Sequence, residues 1–120
     1  MWPSKRSPQQ EQGRYWEQYA LAWLRTRGFE LIEENFRCSG GEIDLVMRDG
    51  DTVVFVEVRQ RDDPQHGGAA ASIGPAKIRR LVCAARWWLL RCDRLPPCRF
   101  DVIAIDGDHL DWLRDAIQVD

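Results

Sequence analysis

Apolar residues recur at helical spacing between Gln10 and Arg27. Trp16, Ala20, Trp23 and Leu24 fall at i, i+4, i+7 and i+8, and Gly28 follows where a helix would cap. That stripe predicts a first helix. Phe29 to Phe36 is a short strand candidate of mixed pattern, and Gly40-Gly41 opens a clearer one from Glu42 to Arg48. Asp49-Gly50-Asp51 is a turn signal that joins it to Thr52–Arg59, a valine-rich run continuous enough for the middle of a sheet. The stretch from Asp62 to Pro75, rich in Gly and Ala, reads as a mobile loop. Pro75 suits the first turn of a second helix that runs to about Arg94, before Pro96-Pro97 stop it. Arg99 to Ile105 is another strand, Asp106-Gly107-Asp108 another turn, and His109 to Leu113 a short edge strand or irregular tail. The order is αβββαβ with room for one more strand. It predicts a loose arm over 1–9 and one α/β domain over 10–120, a central mixed sheet flanked by two main helices.

Composition narrows the function classes. The chain has 120 residues, 44% hydrophobic and 30% charged, enough for one core and one domain. Its longest apolar runs, Val53–Val56 and Trp87–Leu90, are far short of a membrane span. No apolar segment follows the basic residues of MWPSKRSPQQEQ, so a cytoplasmic location is expected. Cys38, Cys83, Cys92 and Cys98 have neither CxxC spacing nor a nearby histidine, which points to reduced packing thiols rather than zinc or disulfides. The net charge of −2 excludes a generic polybasic nucleic-acid binder. Locally the picture differs: Lys77 to Arg94 holds six basic residues against Asp93 alone, whereas 101–120 carries six acids and one arginine.

The chemistry concentrates in the hairpin. Acidic residues are depleted in strands, yet Asp44 and Glu57 interrupt the two most apolar ones. With Asp49-Gly50 as a two-residue turn, Arg48 faces Asp51, Asp44 faces Phe55 and Glu42 faces Glu57. Asp44, Glu57 and Arg59 then share one face, with the first two diagonal at roughly 7–8 Å. Two carboxylates on a half-buried face require a compensating positive charge. A hard cation such as Mg²⁺ supplies it, with Glu17 at the border of the first helix's apolar stripe as a third ligand. A structural ion-pair network with Arg59, Arg61 or Arg37 supplies it equally well.

The second helix separates two faces. Ile78, Leu81, Val82, Ala85, Trp88, Leu89 and Cys92 fill an arc of about 120°, and Lys77, Arg79, Arg80, Arg86, Arg91 and Arg94 lie outside it. Trp87 lies outside it too, between arginines. An exposed Trp there fits base stacking while Arg80 and Arg91 hold phosphates, and Lys77 opens the helix as a further phosphate contact. An ordinary solvated helix face, or a dimer interface covering Trp87, accounts for the same pattern.

A helix with an inward Glu, then GEIDL, a turn and FVEVR resembles the PD-(D/E)XK nuclease constellation. More closely, the chain resembles the YraN-like uncharacterised protein family. The likeness runs from about Gly13 to Ile105 through Gly13, Glu17, Ala20, Trp23 and Leu24, then Asn35 and Arg37, GEIDL, FVEVRQR, Lys77 and RFDVIAI. It implies a restriction-endonuclease-like fold related to Holliday-junction resolvases and tRNA-splicing endonuclease domains. It also implies Mg²⁺ (or Mn²⁺) on Glu17, Asp44, Glu57 and the Val58 carbonyl. Arg59 then stands where the nucleases carry their catalytic lysine. Arginine keeps its proton, so it cannot be a general base, though it can orient water or stabilise transition-state charge. A metal-dependent nuclease acting on structured or branched DNA or RNA is the function expected. A non-catalytic nucleic-acid-binding module is one alternative, and a protein-interaction domain with a partner or homodimer surface is the other.

Overall fold

A computed structural model describes residues 7–61 and 68–119. The first helix, α1 (Pro8–Thr26), starts two residues before the apolar stripe does. Its cap explains this: Ser7 Oγ accepts the Gln10 N–H, and the Gln10 side chain accepts the Ser7 N–H in return. Pro8 and Gln9 therefore belong to the helix rather than to an arm, and residues 1–6 lie outside the described residues.

Three strands follow, β1 (Glu30–Cys38), β2 (Gly41–Asp49) and β3 (Thr52–Arg61). They form an antiparallel meander. The expected loop ahead of Pro75 contains a one-turn helix, α2 (Gly68–Ala71), whose Ala69 N–H is accepted by Asp106 Oδ1 at 2.7 Å. Residues 62–67 of that loop lie outside the described residues. The basic helix, α3 (Pro75–Leu89), ends five residues short of Arg94. Arg91 and Cys92 donate to the carbonyls three residues back, a tighter winding that closes the helix before the prolines. β4 (Cys98–Asp106) and β5 (His109–Leu113) complete the chain, so the segment left open between strand and tail is a regular edge strand.

The sheet order is β1-β2-β3-β4-β5, with β3 antiparallel to β2 and parallel to β4. β3 is thus central and buried on both faces, as its valine run requires. α1 covers Leu45, Met47, Val54, Val56, Ile103 and Ile105; α3 covers Val46, Val53, Phe55 and Phe100 from the other side. The arrangement is the restriction-endonuclease-like α/β domain expected from the sequence.

One detail of the hairpin differs. Asp49 pairs with Thr52, so Gly50-Asp51 is the turn, and Val46 rather than Asp44 faces Phe55. Gly50 takes φ 63°, the conformation the first loop position of such a hairpin favours. The register slides by two residues, an even shift that leaves the paired residues, Leu45–Asp49 and Thr52–Val56, on their expected faces.

Gly41 sets how closely α3 approaches β2. A Cβ at this position would meet the Arg80 carbonyl oxygen at 1.9 Å, backbone against side chain with no rotamer to relieve it. Gly41→Ala therefore forces α3 away from the sheet and is expected to cost about 1–3 kcal/mol, read as a lower urea midpoint at unchanged slope.

Candidate metal centre

β2 and β3 part at Asp44. Their last paired residues are Leu45 and Val56, and beyond these Asp44 Oδ2 accepts the Val58 N–H at 2.8 Å, where a strand carbonyl would otherwise serve. β2 also turns over here: Ile43 packs with the α3-side cluster and Leu45 with the α1-side cluster, although residues two apart ordinarily share a face. The carboxylate consequently sits in the opening between the strands.

Glu57, next along β3, is only 1% exposed. Burial first, then hydrogen bonding and charge from Asp44, push its carboxyl up to about 9 against the opposing pull of Lys77. Two carboxyl groups in contact share a proton more readily than they both ionise. The compensating cation is Lys77, from the first turn of α3. Its Nζ stands 3.2 Å from Glu57 Oε2 and 3.5 Å from Glu42 Oε1. Burial pulls the ammonium down, but Glu57, Asp44 and Glu42 together outweigh it and hold Lys77 above its ordinary value. The contact with Glu57 is an ion pair without hydrogen-bond alignment, so Oε2 remains the one buried side-chain oxygen lacking a hydrogen bond among the described residues.

Glu17 reaches this cluster from α1. Burial and then Asp44 push it up to about 7, while a hydrogen bond with Asn35 and the charge of Arg14 act the other way. Asn35 itself holds φ 51° in β1, an unusual backbone for a strand residue. Asp44 thus stands between Glu57 on β3 and Glu17 on α1 and raises both.

Arg59 does not join them. Its Nε donates to Ser72 Oγ at 3.0 Å and its Nη2 to the Ser72 carbonyl at 3.5 Å, which ties it to the α2–α3 connection. Arg37 pairs with Glu42 at 3.6 Å, not with the inner acids. The cation expected from Arg59, Arg61 or Arg37 is therefore Lys77, which pairs with Glu57 and Glu42. Proximity in space explains the miss: Glu42 and Lys77 meet only because α3 packs against Gly41. Nor are the other basic-helix residues part of the site. Trp87 is 52% exposed, but ten residues along a helix place it about 15 Å from Lys77. Arg91 pairs with Glu33 at 3.0 Å, and Arg80 is solvent-exposed.

The donor set is all oxygen, hence suited to a hard cation. Among the described residues no three His, Cys, Asp or Glu side chains have converged to metal-ligand spacing. Two carboxylates suffice for Mg²⁺, which usually takes one or two and completes its shell with water and phosphate oxygen. On the donors present, the site fits such an ion.

Comparison with known proteins places this architecture. The model of the uncharacterised protein family UPF0102 matches residues 16–105, the span from the start of the Glu17 turn to the end of the β4 core. The chain belongs to the UPF0102 family. It is 57% identical over 113 residues to the UPF0102 protein of Herminiimonas arsenicoxydans, covering 94% of this chain and 91% of that one. To the UPF0102 protein of Alkalilimnicola ehrlichii it is 54% identical over 116 residues, covering 95% and 92%. Among the described residues, no helix of this UPF0102 domain is long and apolar enough to cross a membrane.

The raised carboxyls have a thermodynamic consequence. Between the ordinary carboxylate value of 4.5 and about 9, the folded protein holds a Glu57 proton that the unfolded chain has released. Stability therefore falls as pH rises across that window, with Glu17 adding to the loss up to about 7. Thermal midpoints measured from pH 5 to pH 9 should decline in the wild type and decline distinctly less in Glu57→Gln.

Proposed function

We propose that this protein is a Mg²⁺-dependent (or Mn²⁺-dependent) nuclease-like enzyme of the PD-(D/E)XK type, acting on the phosphodiester backbone of structured or branched nucleic acid. The observation that carries the reading is a contrast between two buried acids. Asp101 accepts hydrogen bonds from Arg99 Nε and Nη2, Trp112 Nε1 and the Asp115 N–H, and is fully satisfied. Glu57 is equally buried, shares a proton with Asp44 and keeps an oxygen without a hydrogen bond. A structural carboxylate is built like Asp101; one kept under-satisfied at the mouth of a split sheet is built to receive a ligand.

Asp44 and Glu57 hold the cation in this reading, with the Val58 carbonyl beside them and Glu17 behind. Bound there, a divalent ion supplies a water nucleophile at neutral pH and polarises a phosphoryl oxygen. Lys77 guards the site without metal by neutralising Glu57. Its ammonium has three donors, so one beyond Glu57 and Glu42 remains for a phosphate oxygen. Arg59, braced by Ser72, stabilises charge rather than moving protons.

A second reading is a non-catalytic nucleic-acid-binding module of the same fold. The anchoring of Arg59 on Ser72, at the position of the nuclease lysine, favours it. In either case the site works in a cytoplasmic protein whose partner is DNA or RNA.

A metal titration separates them. Mg²⁺ or Mn²⁺ at a hundred times its dissociation constant should stabilise the wild type by about 2.7 kcal/mol, a rise of roughly 10 °C in thermal midpoint. Asp44→Asn and Glu57→Gln should fold and lose that rise, together with cleavage of a labelled three-way junction. A wild type that no divalent ion stabilises would leave the binding-module reading in possession.

A further inference from the structure

Gly13 lies in the interior of α1, where glycine is the least favourable residue after proline. Nothing structural asks for it. A Cβ built there meets no atom within 4 Å, and Gly13 is absent from the glycines with positive φ. The missing side chain does leave room on the surface. Gly13 and Glu17, one helical turn apart, border two hollows at once. One, of about 530 Å³, lies towards Arg14, Arg37 and Asp44. The other, of about 280 Å³, lies towards Val58 and Arg61. Together they make a trough beside the first half of α1, with carboxylates at its middle and arginines at both ends.

A polyanion crossing the acids needs cations before and after them, and a close approach to the helix backbone where it dips towards Asp44. We infer that one strand of nucleic acid runs along this trough and passes over Gly13. Arg14 and Arg37 hold phosphates on one side of the carboxylates, and Arg61 holds one on the other. Arg37 is suited to this because its side chain is 74% exposed and only loosely engaged by Glu42. The inference rests on the nucleic-acid reading of the site and adds the path of the strand. It puts that path on the α1 side of the sheet, away from the outer face of α3.

The test sets stability against binding at one residue. Gly13→Ala should raise the thermal midpoint by about 4 °C, as removal of an interior helix glycine does. The same change should weaken binding of a fluorescein-labelled 20-nucleotide single strand, DNA or RNA, about threefold by anisotropy in Mg²⁺ and in EDTA. Gly13→Leu should weaken it more than tenfold while remaining folded. Arg14→Gln and Arg37→Gln should each reduce the salt dependence by about one phosphate contact. If Gly13→Leu binds as the wild type does, and an Arg79→Gln/Arg86→Gln double variant on α3 does not, the trough is the wrong path and the nucleic-acid reading survives. If the wild type binds neither strand in either buffer, that underlying reading fails as well.

Discussion

A buried carboxyl on the central strand organises this domain. Glu57 sits on β3 between two apolar layers, where an unpaired charge is costly, and the surrounding elements are arranged to answer it. Lys77 reaches it from α3, Asp44 shares its proton from β2, and Glu17 closes the approach from α1. Each of those contacts requires a different packing relation: the parting of β2 from β3, the docking of α3 on Gly41, and the cover of α1 on the opposite face. The group that destabilises the core is also the one at which three elements meet.

The split between β2 and β3 costs the sheet little because a side chain fills in for the backbone. Asp44 accepts the Val58 N–H, so no amide is stranded where the ladder ends. The turnover of β2 at the same residue lets Ile43 pack under α3 while Leu45 packs under α1. An opening flanked by polar groups is thereby set beside the central strands, which are otherwise sealed on both faces. The neighbouring strand shows the contrasting solution, with Asp101, opposite Val56, joining β4, β5 and the tail through Arg99, Trp112 and the Asp115 amide.

Three features of the domain cost it stability. Glu57 holds its proton against neutral pH, Glu17 does so to a lesser degree, and Gly13 gives up helix propensity without a packing return. Losses of this kind accumulate at functional sites, because a fold optimised only for stability would have replaced them. Gly13 and Glu17 are one turn apart on α1, and Asp44 links Glu17 to Glu57 by raising both.

The helical stripe of α1, the valine run of β3 and the punctuation by Gly and Pro were sufficient to read the element order, since periodicity and turn chemistry are local properties. The pair Asp44 and Glu57 was equally legible, because acids inside apolar strands violate a local preference. The turn and the register differ from the expectation, yet the two acids still meet where β2 leaves β3. The identity of the counter-ion was not legible. Arg59 is two residues from Glu57 in sequence and turns to Ser72, whereas Lys77 is twenty away and touches it. Which cation meets a buried carboxylate depends on where a helix docks, and that is decided by a backbone-to-backbone approach at Gly41 that no pattern of hydrophobic and polar residues records. Local preference determined which residues would be in conflict; tertiary packing decided how the conflict was settled.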